Sequence, residues 1–348
     1  MRSLFILLLF TSLSTLHCQE KLPNIIIMIG DGMGLTQISS GMYANNNSTA
    51  LEGFEYVGLS KTHALGKLVT DSAASGTAMA CGVKTYNGVI GIDGKNKSHP
   101  SILEICQEKG YKTGLIATSS IVHATPASFY AKVVSRRLYE KIAYQLSQHK
   151  IDLFVGGGKD YFTKREDNRN LVNEMSEYEF VNRINDFKSS QSNKIGYLTY
   201  NGEPPSKIEG REPDLDDLVS ISLEKLRTKK SPFFMLVEGS QIDWGGHAND
   251  IDYVVSEFKE FDKTIQSVLD FAKNDGNTLV IVTADHETGG LALTGGSLNQ
   301  SKVKGKFNTG GHSATMVPVF SYGPSSELFS GIYENTAIFH KMFEAIQQ

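Results

Sequence analysis

Apolar runs of about five residues recur along the chain, separated by long amphipathic stretches. Asn24-Ile25-Ile26-Ile27-Met28-Ile29 is the first. Lys112 to Thr118, Asp152 to Val155, Pro232 to Val237, Asn277 to Val282 and Met316 to Phe320 follow. The runs are continuous rather than alternating, which is the pattern of strands buried on both faces of a parallel sheet. Gly58 to His63 reads as a further, shorter strand. Between the runs, Leu35 to Tyr43, Pro100 to Lys109, the stretch ending at Gln148 and Ile251 to Lys273 have helical character. Ile332 to Ile346 reads as a terminal helix. Strands alternating with helices predict an α/β fold, here a three-layer α/β/α sandwich with a mainly parallel central sheet.

Three stretches stand outside that rhythm. Lys159 to Lys230 is polar and reads as a surface elaboration, closing with a helix from Asp214 to Lys229. It sits on what is expected to be one domain over 19–348. Gly295 to Gly311 is rich in Gly, Ser and Lys and reads as a loop. At the start, Arg2, the apolar run Leu4 to Phe10 and the small residues after it have the order of a secretory signal over 1–18. That run is too short to cross a bilayer. Export to the periplasm or the medium is therefore expected. A lipid anchor at Cys18 is the lesser option, because His17 is not the small residue expected before a lipidated cysteine. Cys81 and Cys106 read as small buried hydrophobes, with pairing left open. The net charge of −4 gives no electrostatic reason to bind nucleic acid. It would also repel an anionic substrate unless bound cations reverse the field locally.

The candidate chemistry lies just after the strands. Asp31 leaves the first, and His123 and Thr125 leave the second. Glu238, Asp243 and His247 leave the Phe233 strand, and Asp285 and His286 leave the Leu279 strand. His312 precedes the last. A parallel sheet brings such loops to one edge, where open α/β folds bind ligands. Four carboxylates and four histidines there would desolvate and repel one another without cations among them. Imidazole and carboxylate without thiolate suit zinc, and the hard oxygens of Glu238 and Thr125 suit magnesium. Asp243 and His247 have a spacing that puts both on one helix face. Separately, Thr70 to Ala78 is a polar loop running into small residues, with Asp71 or Ser72 as helix cap. Alone, Ser72 is a cap; beside a metal cluster it is a candidate nucleophile.

Together these segments resemble the alkaline phosphatase family, in its short bacterial, cold-active-like branch. The resemblance rests on Asp31-Gly32-Met33-Gly34, Thr70-Asp71-Ser72-Ala73-Ala74-Ser75, His123-Ala124-Thr125-Pro126, Val237 to Asp243, Thr283 to Gly290 and Gly310-Gly311-His312. It implies hydrolysis of small phosphate monoesters through a phosphoserine on Ser72. It implies two Zn2+ and one Mg2+ per chain. Asp243, His247 and His312 would hold one zinc; Asp31, Asp285, His286 and Ser72 the other; Asp31, Thr125 and Glu238 the magnesium. Arg136 matches the arginine that clamps phosphoryl oxygens, and a homodimer is the family's expected assembly. Two positions depart from part of the family, which carries Asp where this chain has His123 and Lys where it has Trp244. His123 is then expected beside the magnesium ligands, or as a ligand itself where that site takes zinc, and Trp244 supplies no cation. The rival readings are a phosphodiesterase or sulfatase on the same scaffold, and an exported zinc-binding protein without activity.

Overall fold

A computed structural model describes residues 22–227 and 231–347. The expected export signal over 1–18 and Cys18 lie outside the described residues, as do the last residues of the expected Asp214 to Lys229 helix. No helix among the described residues is long and apolar enough to cross a membrane.

Among the described residues, fourteen strands occur in chain order. They are β1 (Asn24–Gly30), β2 (Tyr56–Lys61), β3 (Lys112–Ser120), β4 (Leu153–Gly157), β5 (Glu179–Val181), β6 (Ile195–Leu198) and β7 (Phe233–Gly239). They continue as β8 (Thr278–Thr283), β9 (Glu287–Thr288), β10 (Ala292–Ser297), β11 (Lys302–Lys306), β12 (His312–Ser313), β13 (Val317–Tyr322) and β14 (Gly331–Glu334). Ten of them form one sheet, in the order β14-β2-β13-β8-β1-β7-β3-β4-β6-β5. Only β13 runs against its neighbours. The fold is the predicted α/β architecture.

Alternation along β1 shows why the runs are continuous. Ile25, Ile27 and Ile29 face one core with the helices Ser72–Cys81, Ile102–Glu108, Tyr139–Gln148 and Thr336–Ala345. Ile26 and Met28 face a second core with the helices Leu35–Ala44, Leu215–Leu226 and Ile251–Asp275. A strand covered on both sides has no polar face, so its sequence cannot alternate. Cys81 and Cys106 are buried free thiols in the first core.

Three elements differ from expectation. The Gly295 to Gly311 stretch is not a plain loop: β10 and β11 pair as an antiparallel ribbon. Lys302-Val303-Lys304-Gly305-Lys306 alternates with period two, and Ser301 at φ +49° closes the turn. Residues 159–230 do more than decorate the surface, since β5 and β6 extend the central sheet at one edge. Val317–Tyr322 is not the last strand. Ile332 lies in β14, parallel to β2, and the terminal helix starts only at Thr336.

Candidate active site

Strands β8, β1, β7 and β3 lie side by side, and their C-terminal ends make one edge. Asp31 follows β1, and Glu238 is the penultimate residue of β7, level with Ile29 of β1. Asp285 and His286 follow β8, while His123 and Thr125 follow β3. The helix Ile242–His247 sets Asp243 and His247 on one face, with His247 Nε2 3.3 Å from Asp243 Oδ2. The short ribbon of β9 with β12 returns His312 to the same edge, opposite Thr288. All of the strand-end candidates therefore gather at one place.

Ser72 begins a ten-residue helix of small side chains, every one of them buried. Asp71 is its cap: Oδ1 accepts from Ala74 N at 3.0 Å. Ser72 Oγ lies 3.4 Å from His286 Nε2. Arg136 reaches in from the other side. Its Nη1 donates to Asp71 Oδ2 at 3.2 Å and its Nη2 to His123 Nε2 at 3.2 Å. Trp244 does not enter this group as a charge; its ring stands edge-on to His123, 6.1 Å between centroids.

The cluster is short of hydrogen-bond donors. Both carboxylate oxygens of Asp31, Asp285 Oδ2, Glu238 Oε1, Thr125 Oγ1 and His123 Nδ1 are buried without a hydrogen-bond partner. They converge in three overlapping groups: Asp243, His286 and His312; Asp31, Asp285 and His286; Asp31, His123 and Glu238. Within each group the nearest ligand atoms lie within 4.8 Å of one another. His247 adjoins the first group, its Nε2 3.1 Å from His312 Nε2. Carboxylate oxygens that converge without donors are the arrangement that cations satisfy, and this nitrogen and oxygen set fits zinc and magnesium. His123 offers a ring nitrogen within 4.8 Å of a carboxylate oxygen of Asp31 and of Glu238.

Electrostatics follow from this geometry. Burial, then the Asp285 charge, pushes Asp31 well above the usual carboxylate range. Burial carries Glu238 up to about 7, although the Ser240 hydroxyl opposes the shift. Burial also works to raise Asp243, but the His247 hydrogen bond and the nearby imidazoles hold it low. The Asp243 hydrogen bond lifts His247 to about 9. Burial and the Arg136 charge drive His123 down to about 3, so it stays neutral.

Several supporting residues escape a reading of sequence alone. Ser119 and Ser240 both donate to Glu238 Oε2, at 3.2 and 2.7 Å, which leaves Oε1 facing the cluster. Thr288 donates to Asp243 Oδ1. Gln37 donates to Glu287 Oε1 and to Thr288 O, each at 2.7 Å. Only Ser240, two residues after Glu238 and just past the end of β7, carries a local signal.

A family model described as alkaline phosphatase matches residues 22–306 and 296–348. The chain belongs to the alkaline phosphatase family. Alkaline phosphatase 3 of Bacillus subtilis is 34% identical, over 94% of this chain and 90% of its own length. Alkaline phosphatase from the Antarctic bacterium TAB5 is 43% identical with a TM-score of 0.88, covering 94% of this chain and 98% of that one. A variant of the TAB5 enzyme has been solved with magnesium bound in its M3 site. A cold-active alkaline phosphatase from Shewanella is 29% identical with a TM-score of 0.86, covering 93% of this chain and all of that one. Alkaline phosphatases are phosphomonoesterases, and this outweighs the diesterase, sulfatase and non-enzymatic readings.

Proposed function

We propose that this alkaline phosphatase hydrolyses small phosphate monoesters through a covalent phosphoserine on Ser72, with two zinc ions and one magnesium ion as cofactors. One observation carries the reading: unpartnered buried acceptors from four adjacent strand ends surround a serine at a helix N-terminus. Asp243, His247 and His312 would hold one zinc. Asp31, Asp285 and His286, with Ser72, would hold the second, and Asp31, Thr125 and Glu238 the magnesium. Bound there, the ions supply Lewis acidity and lower the pKa of a hydroxyl, without which serine is a poor nucleophile.

The chain's own residues supply the rest. The free amides at the start of the Ser72–Cys81 helix favour a phosphate and an oxyanion. Arg136 offers a planar fork matched to two phosphoryl oxygens. Asp71 holds that fork beside Ser72. Neutral His123 accepts from Arg136 and lies against Asp31 and Glu238, so it orients the guanidinium without adding charge. With Trp244 in place of a lysine, Arg136 supplies the cationic side chain that contacts both Asp71 and His123.

Export after removal of residues 1–18, a single catalytic domain from residue 19, and a homodimer belong to the same reading. They are supported by the N-terminal pattern and the family. The test is Ser72→Ala. It should keep its zinc and magnesium by elemental analysis while losing nearly all turnover of a chromogenic phosphate monoester. Near wild-type turnover in that variant would reject the covalent route.

A further inference from the structure

Thr288 is fully buried between two members of the cluster. Its hydroxyl donates to Asp243 Oδ1, and His286 Nδ1 lies 3.2 Å from Thr288 Oγ1. The hydroxyl has one proton, and an ionised carboxylate only accepts. The Thr288 proton therefore belongs to Asp243. Only lone pairs remain on Oγ1, so His286 Nδ1 must be the donor toward it. An imidazole that ligates a metal is neutral and carries one proton, so in the two-zinc reading His286 Nε2 presents its lone pair. Nε2 is the nitrogen that faces Ser72 Oγ at 3.4 Å, Asp285 Oδ2 at 3.1 Å and Asp31 Oδ1 at 3.5 Å.

We infer that Thr288 is a positioning residue that joins the two zinc sites, its single hydroxyl steering Asp243 of one and fixing the tautomer of His286 in the other. The inference rests on the two-zinc reading above. The protein braces Thr288 on several sides. Its backbone N donates to Gly32 O at 3.3 Å, and its carbonyl accepts from Gln37. It pairs with His312 across the β9–β12 ribbon. Its neighbour Glu287 accepts from Gln37, Gly290 N, Leu291 N and the Ser313 hydroxyl, which locks the ribbon to the Leu35–Ala44 helix. A side chain with so little freedom can set the direction of its partners.

Removing the hydroxyl should therefore disturb both ions together. Thr288→Val keeps the branched shape and loses the oxygen; Thr288→Ser keeps the oxygen. Zinc affinity is read by competition with a chromophoric chelator, and ligand geometry by the absorption spectrum of the cobalt-substituted protein. Thr288→Val is expected to bind two zinc equivalents about 10- to 100-fold more weakly, with an altered cobalt spectrum. Thr288→Ser should restore both readouts, which loss of packing alone would not predict. Two zinc equivalents at wild-type affinity in Thr288→Val, or weakening confined to one of the two, would overturn the inference. Wild-type protein that takes up no zinc at all would overturn the two-zinc reading itself, and this inference with it.

Discussion

In the proposed reading Glu238 is a carboxylate that magnesium would stabilise and that is costly without it, and Glu238→Gln separates those effects. The side chain is fully buried. Ser119 and Ser240 satisfy Oε2, while Oε1 has no partner. Burial raises its pKa from 4.5 to about 7. In metal-free protein the folded state therefore holds a proton on Glu238 across a window where the unfolded state has lost it. Stability rises with pH only where the unfolded state binds more protons, so here it falls as pH rises from 4.5 through 7. At about 1.4 kcal/mol per unit, the loss on that side chain is roughly 3 kcal/mol above pH 7. Glutamine does not ionise, and its amide oxygen can still accept from both serines. Urea unfolding in excess chelator should then show metal-free Glu238→Gln more stable than metal-free wild type at pH 8, by up to roughly 3 kcal/mol. The difference should shrink to nothing near pH 4.5. With magnesium and zinc added at pH 8 the order should reverse, since the amide is the poorer ligand. A variant no more stable than wild type at pH 8 without metal, or a gap that persists at pH 4.5, would refute the reasoning.

Arg136→Lys keeps the charge and loses the fork; kcat/KM for a small monoester should drop by about 100-fold or more, in the range seen when one oxyanion donor is removed. Retention of wild-type kcat/KM would show that a point charge suffices. Gly32 sits at φ +72°, and a Cβ there would lie 2.7 Å from Asp243 Cα and 2.8 Å from Thr288 Oγ1. Gly32→Ala should lose metal affinity and stability together, by about 1–3 kcal/mol of folding free energy for the strained backbone; chelator competition and urea titration would check each. Away from the site, Arg211 is buried against Glu257 and Glu260. Arg211→Met should cost about 3–5 kcal/mol in urea unfolding, because two carboxylates are left without their partner. Turnover per folded molecule should be unchanged.

What the sequence makes legible depends on how far each inference reaches along the chain. Ile25 to Ile29 announces a doubly covered strand by itself, and the acid that follows it must sit at a strand end. Asp31, Glu238 and Asp285 are therefore readable one strand at a time, and strand order needs only the right-handed parallel rule. Register is different. That Ser119 on β3 meets Glu238 on β7 depends on how two strands separated by more than a hundred residues line up. No local pattern states it. Thr288 is hidden for a similar reason, since a Thr before two glycines reads as a turn. Its role appears only when β12 pairs beside it and the Asp243 helix packs against it. The β10–β11 ribbon was missed because glycine and lysine are poor strand formers. Period two in Lys302 to Lys306 is the signal that composition obscured. Ile332 shows the opposite error: an amphipathic helix pattern was extended four residues too far, across a stretch that β2 claims as an edge strand.

If Ser72 is the nucleophile and Arg136 the anion clamp, as proposed, Asp71 is what makes the two act as one unit. Its Oδ1 caps the Ser72–Cys81 helix, while its Oδ2 accepts from Gly88 N at 3.0 Å and from Arg136 at 3.2 Å. Gly88 O in turn accepts from Arg136 N at 2.7 Å. One carboxylate and one glycine peptide thus tie Arg136, by both its backbone and its side chain, to the first turn of the helix that carries Ser72. Each bond alone is modest, about 1–3 kcal/mol where a charge takes part. Their value lies in geometry, because any motion of the clamp relative to the serine must break more than one of them. A cap that only ended a helix would need one oxygen; the second oxygen of Asp71 is spent on the clamp. The sequence neighbourhood of Ser72 contains the cap but not Arg136, 64 positions on. Asp71 therefore looks local in sequence and acts, in the structure, as the joint between the Ser72 helix and the Arg136 guanidinium.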